Sequence, residues 1–97
     1  MTKVKDASMV LHALQNLLRE RILTVIKERP GITVRELYSE LRMEQSVASK
    51  HLALLRQAGI VRTERERRKI HYYLNEVNIK IIIQLIDQLA GFYIPAV

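Results

Sequence analysis

At 97 residues, 48% hydrophobic and 27% charged, the chain has the length and composition of one folded domain and not of a disordered or fibrous protein. It has no cysteine, which excludes disulfides, thiolate metal sites, iron–sulfur clusters and a cysteine nucleophile. Sixteen Lys and Arg against ten Asp and Glu leave a net charge of +6, an excess that suits a polyanionic partner.

From Ala7 to Arg29 the apolar residues recur at helical spacing: Met9, Val10, Ala13, Leu14 and Leu17, then Leu18, Ile22, Val25 and Ile26. Asn16 is a natural N-cap and divides the stretch into helices of about 7–15 and 17–28, and Arg29-Pro30-Gly31 stops the second. Thr33-Val34-Arg35-Glu36 has the spacing of a capping box and opens a short third helix with Val34, Leu37, Tyr38 and Leu41 on one face. After a turn at Arg42 and Met43 a fourth helix is predicted over 44–57. Val47, His51, Leu52, Leu54 and Leu55 face inward, and Gly59 supplies the left-handed residue beyond its end.

The period then changes to two. Ile60–Glu64 and Ile70–Leu74 are β-branched and aromatic and flank the charged tip Arg65-Glu66-Arg67-Arg68-Lys69, which reads as a hairpin over 61–74. A last helix over 76–92, begun by Asn75 or Asn78 and closed by Gly91 and Pro95, carries Ile79, Ile82, Ile83, Ile86, Leu89 and Ala90 on one stripe, widened by Ile81 and Leu85. Lys80, Gln84, Asp87 and Gln88 interrupt that stretch, which is too short and too polar to span a bilayer, and no signal peptide is evident. A soluble, cytoplasmic protein without membrane contact is expected. The order α-α-α-α-β-β-α, mainly α with a β-hairpin (α+β), is that of a winged helix-turn-helix domain spanning 1–97 with an extra helix at each end.

Between Gln45 and Tyr72 the bases Lys50, Arg56, Arg62, Arg65, Arg67, Arg68 and Lys69 face only the acids Glu64 and Glu66, so nearly all of the net charge lies on the fourth helix and the hairpin. That concentration is the footprint of a nucleic-acid binder. Gln45, Ser46, Ala48, Ser49 and Lys50, short or polar residues at the N-terminal half of a helix, are the expected major-groove readers. Arg65, Arg67, Arg68 and Lys69 are the expected contacts to phosphate or minor groove. Of Tyr72 and Tyr73, which alternate faces, one anchors the hairpin and the other is free to lie exposed near DNA. His51 is expected to be packed and hydrogen-bonded within the turn motif, and His12 and His71 to be structural or surface residues.

These same residues carry a resemblance. Ser49, His51-Leu52, Leu55, Ala58-Gly59-Ile60-Val61 and Tyr72-Tyr73-Leu74, with Ala13-Leu14-Gln15-Asn16, Arg19 and Ile22-Leu23 upstream, resemble the recognition-helix, wing and second-helix signatures of ArsR-type (ArsR/SmtB-like) transcriptional regulators over residues 10–90. The resemblance implies a homodimeric repressor on a palindromic operator. It would pair through its first and last helices, and a two-fold dimer sets two recognition helices about one DNA turn apart. Val10, Leu14, Ile79, Ile82, Ile83, Ile86 and Leu89 are the expected dimer contacts.

The chain departs from this pattern in ways that matter. Family members sense metals or metalloids through Cys or through Asp/His sets on the last helix. Here there is no Cys, the last helix has no His, and Glu76 and Asp87 lie about three turns apart. No cofactor, no metal site and no response to zinc, nickel or arsenite are expected, and the effector is left open. Glu44 stands where the family has a Ser N-cap, and the wing tip lacks a Gly. No phosphate loop, carboxylate pair or nucleophile–base set is present, so enzymatic activity is not expected. The alternative function is a winged-helix module that binds an acidic protein.

Overall fold

The computed structural model describes the backbone of residues 7–93 and the side chains of residues 9–88. In chain order it contains α1 (Ala7–Leu14), α2 (Leu17–Glu28), β1 (Ile32–Thr33), α3 (Val34–Glu40), α4 (Gln45–Gln57), β2 (Val61–Glu66), β3 (Lys69–Leu74) and α5 (Glu76–Tyr93).

Local chemistry explains most of the boundaries. The Asn16 carboxamide oxygen accepts from the amides of Leu18 at 2.9 Å and Arg19 at 3.1 Å, so α2 begins on a side-chain cap and the chain bends away from α1 there. The capping box at α3 is complete. Thr33 Oγ1 accepts from the Glu36 amide at 3.3 Å, and a Glu36 carboxylate oxygen accepts from the Thr33 amide at 3.0 Å. These Thr33 bonds hold the Glu36 carboxyl below the usual carboxylate range. Arg42, at φ 53, makes the left-handed step between α3 and α4, and the Met43 amide donates back to the Tyr38 carbonyl at 3.0 Å. Gly59 takes φ 77 beyond the end of α4, as its sequence position predicts.

One strand was not foreseen. β1, only two residues long, pairs antiparallel with β3, Ile32 opposite Tyr72 and Thr33 opposite His71, so the sheet has three strands in the order β1-β3-β2. The expected order α-α-α-α-β-β-α therefore gains a strand between the second and third helices. The hairpin strands are also longer than expected. Their register runs from Val61 opposite Leu74 to Glu66 opposite Lys69, leaving Arg67 and Arg68 as the loop. At the other end Gly91 does not close the last helix, which continues through it to Tyr93, and Pro95 lies outside the described residues.

The core lies where α2, α3, α4 and β2 meet, with Ile22, Ile26, Leu37, Leu52, Leu55 and Val61 fully buried. α1 adds Val10 and Ala13, and α5 adds Ile82. Burial of such side chains stabilises the fold by about 1.5–3 kcal/mol each. α5 is tied to the end of α4 by Asn78, 3% exposed, whose Nδ2 donates to the Gly59 carbonyl at 3.1 Å. Asn75 begins the helix: its amide donates to the Ile60 carbonyl at 2.9 Å and its Oδ1 accepts from the Asn78 amide at 3.3 Å. Among the described residues no helix is long and apolar enough to cross a membrane.

Candidate nucleic-acid interface

α4 presents a polar face because its core-facing residues are confined to one stripe. Ala48, Leu52 and Leu55 are buried at helical spacing, and the exposed positions between them are Gln45, Ser46, Ser49 and Lys50. Four of the five expected readers therefore point to solvent. The fifth is corrected: Ala48 is 0% exposed, and its methyl group packs inward and cannot reach a base. Glu44 occupies the N-cap with extended backbone, φ −71 and ψ 146, but makes no side-chain cap bond. The first amides of α4 thus lack a side-chain acceptor from the cap.

The wing presents its cations at the tip. Arg67, Arg68 and Lys69 are exposed, and among the described residues no carboxylate lies within ion-pair distance of them. Of the two acids of the hairpin, Glu64 pairs with Arg62 at 3.6 Å, and Glu66 is exposed with its carboxylate 4.0 Å from His71 Nε2. Arg65 is turned toward the loop, its Nε donating to the Arg67 carbonyl at 3.2 Å. Arg67 carries φ 58, so the tight loop is closed without the customary Gly at the expense of a left-handed Arg.

The two tyrosines divide as their alternation predicts, with one qualification. Tyr72 packs against the core. Tyr73 is half-buried and not exposed: the Arg62 guanidinium stacks over its ring at 4.5 Å, and it leans against the turn at Gly31. A hydrogen bond to Glu64, ahead of desolvation, raises the Tyr73 phenol above its ordinary value. His71 Nδ1 lies 2.7 Å from the Gly31 carbonyl, so the ring ties β3 to the same turn. His12 is exposed.

His51 does not bond within the turn motif. Its Nδ1 accepts from Arg19 Nη1 at 3.2 Å, and Arg19 is a buried cation on α2. Arg19 is the residue that sequence reasoning missed as a structural centre. The signal was present, because Arg19 shares the buried stripe of Ile22 and Ile26 at i+3 and i+7.

The helices α1 and α5 leave apolar side chains uncovered. Leu11, Val77, Ile83, Leu85 and Ile86 are all exposed, with Ile83 at 52% and Ile86 at 44%. A groove of about 300 Å³ beside them is lined by Leu14, Leu23, Ile79 and Ile82. Two expected dimer contacts are corrected: Val10 and Ile82 are 5% and 6% exposed, already covered by the chain's own core. Leu14 and Ile79 are partly buried against that core, and the Leu89 side chain lies outside the described residues. Leu17, expected on the apolar stripe, is instead 80% exposed at the start of α2. Among the described residues no three His, Cys, Asp or Glu side chains come together as a metal ion would require.

Comparison with known proteins converges on the same arrangement. A model of the MarR family matches residues 21–69, from within α2 to the first residue of β3 and just over half of the chain. The chain belongs to the MarR family. It is 36% identical over 83 residues to the transcriptional activator HlyU of Vibrio cholerae, covering 86% of this chain and 76% of HlyU. It is 33% identical over 89 residues to the HTH-type transcriptional regulator MJ1325 of Methanocaldococcus jannaschii, covering 92% of this chain and 100% of that protein. The solved structure of V. cholerae HlyU has a TM-score of 0.67 with this chain, over 86% of it and 89% of HlyU. A homodimeric winged helix-turn-helix DNA-binding domain from Mycobacterium bovis, Mb0332, described as a possible ArsR-family regulator, has a TM-score of 0.69 at 22% identity over 93% of this chain and 86% of that one. At that identity the likeness shows the fold alone. This MarR-family chain is a DNA-binding transcriptional regulator of the winged helix-turn-helix class.

Proposed function

We propose that the protein is a homodimeric repressor that grips a palindromic operator with two copies of α4 and two wings. Gln45, Ser46, Ser49 and Lys50 read bases from the major groove, while Arg67, Arg68 and Lys69, with Arg65 behind them, neutralise phosphates or enter the adjoining minor groove. The observation that carries this reading is the pairing of an exposed polar face on α4 with a wing tip whose three cations have no carboxylate within ion-pair distance among the described residues. Polar side chains on a helix suit base edges, and free cations suit the phosphate backbone.

The dimer follows from the uncovered apolar residues of α1 and α5, above all Ile83 and Ile86. Large apolar side chains left exposed beside an apolar groove suit an interface, and the M. bovis neighbour is itself described as homodimeric. Occupancy of a promoter by such a dimer represses by exclusion. HlyU carries the opposite sign in its name, so a promoter–reporter assay with and without the protein is the measurement that decides it.

Selection of duplexes from a random library with purified protein tests the whole reading. The expected product is an inverted repeat with half-sites about 10 base pairs, or a multiple of that, apart. Recovery of unrelated sequences, or capture of an acidic protein in place of duplex DNA, would overturn it.

A further inference from the structure

Arg19 is 4% exposed, and among the described residues no carboxylate bonds to it. Its charge is met in another way. Nε donates to the Ala13 carbonyl and Nη2 to the His12 carbonyl, each at 2.7 Å. Both acceptors lie in the last turn of α1, where carbonyls lack helical partners and the helix dipole is negative. The third nitrogen, Nη1, crosses to α4 and reaches His51 Nδ1 at 3.2 Å. One guanidinium thus joins the end of α1, the start of α2 and the middle of α4.

The bond to His51 has a definite polarity. Arginine can only donate, so Nδ1 must carry a lone pair and the ring proton must sit on Nε2. A protonated ring would present an N–H and a positive charge to a buried cation. Burial, and then the charge of Arg19, hold the ring's pKa below the ordinary histidine value. The charges around the ring offer a protonated His51 no compensation. Arg19 faces it from α2, α1 contributes the carbonyls already taken by Arg19 and the exposed imidazole of His12, which can add only positive charge, and Lys50 precedes it on α4. The carboxylates Glu36 and Glu40 of α3 are engaged by Arg29, and Glu64 of β2 by Arg62.

We propose that Arg19 and His51 are positioning residues for DNA reading: with the ring neutral they fasten the reading helix α4 to the end of α1, and protonation of His51 releases it. The consequence is a loss of operator discrimination, not of general DNA affinity. His51 lies one residue beyond Lys50 and two beyond Ser49, so a shift of the helix there moves two base-reading side chains together. Phosphate attraction does not weaken, because acidification only adds positive charge to the protein. The ratio of operator to random-DNA affinity separates the two effects.

This inference rests on the DNA-reading function above, and two measurements keep their failures distinct. The first uses the wild-type chain without DNA, followed by NMR from pH 7.5 to 5.0. The His51 ring is expected to titrate below about 6.5, with the backbone amides of Leu14 and Gln15 at the end of α1 moving at the same midpoint. Titration of the ring with no movement at α1 would overturn the tie, whatever the protein binds. The second uses a duplex selected from a random library at pH 7.5 and a scrambled duplex of equal length. Linkage allows up to tenfold per pH unit below the ring's pKa, and over the same range the affinity ratio is expected to fall about threefold or more for the wild type. In H51N, which keeps an acceptor near Nδ1 but cannot protonate, the ratio should stay flat. In H51L, which leaves the Arg19 donor unpaired, it should be low at every pH. An equal decline in wild type and H51N would overturn the proposal, as would a flat wild type. If no duplex is selected, the DNA reading falls, and the tie stands or falls on the NMR titration.

Discussion

The Tyr73 hydroxyl closes over the backbone of Gly31 so tightly that a Cβ placed there would lie 3.1 Å from the phenolic oxygen and 3.4 Å from the ring carbon that bears it. Gly31 also takes φ 87, and its amide donates to the Tyr72 carbonyl at 2.9 Å. Two independent penalties therefore meet at one residue, a left-handed backbone and a crowded neighbour. Gly31→Ala should destabilise the fold by about 1–3 kcal/mol, measured by urea unfolding. In the background of Tyr73→Phe, which removes the closest atom, the cost should be smaller. A double-mutant cycle with no coupling would show that backbone strain alone decides the position.

Arg67 serves two purposes that substitution can separate. Its left-handed φ of 58 strains the wing loop, and its side chain is one of the unpaired cations. Arg67→Gly should stabilise the chain by up to about 1 kcal/mol relative to Arg67→Ala, because only glycine takes that backbone freely. Both should weaken binding to all duplexes alike and lower the salt dependence by roughly one unit. Thermal melts and a salt titration of DNA affinity check the two halves.

Neighbouring isoleucines of α5 should behave differently. Ile82 is 6% exposed in the chain's own core, whereas Ile83 is 52% exposed beside the apolar groove. Ile82→Glu should unfold the protein, since an unpaired buried charge costs several kcal/mol. Ile83→Glu should leave the circular dichroism intact and convert a dimer to a monomer in sedimentation velocity at tens of micromolar. A folded wild type that sediments as a monomer would end the dimer proposal.

The reading helix yields a prediction of opposite signs. Ser46→Ala and Lys50→Ala should cost on the order of 1–3 kcal/mol on the selected operator and little on random DNA. Ala48→Val, at a position 0% exposed, should instead cost about 1–3 kcal/mol of stability through overpacking. Glu44→Ser should gain about 1 kcal/mol, because the N-cap backbone is already extended and lacks only a side-chain acceptor. Denaturation and binding titrations on the same samples distinguish these outcomes.

What the sequence determined by itself is what short-range chemistry controls. The break at Asn16, the capping box at Thr33 and Glu36, the left-handed Gly59 and the alternating hairpin each depend on residues within a few positions of one another, so their signals survive in one dimension. The concentration of cations on the wing and the polar face of α4 were legible for the same reason. The tertiary structure decided what depends on contacts far apart in the chain. β1 exists because Ile32 and Thr33 meet Tyr72 and His71 some forty residues later, and two residues carry no period of their own. Amphipathic helices show how wide an apolar stripe is but not which part meets the chain's own core. That is why Val10, Ala48 and Ile82 proved to be interior while Ile83 and Ile86 stayed uncovered. Arg19 is the sharpest instance. A cation can be buried there only because folding brings the unpaired carbonyls of α1 and the lone pair of His51 to its three nitrogens, and hydrogen bonds of that kind are formed in three dimensions.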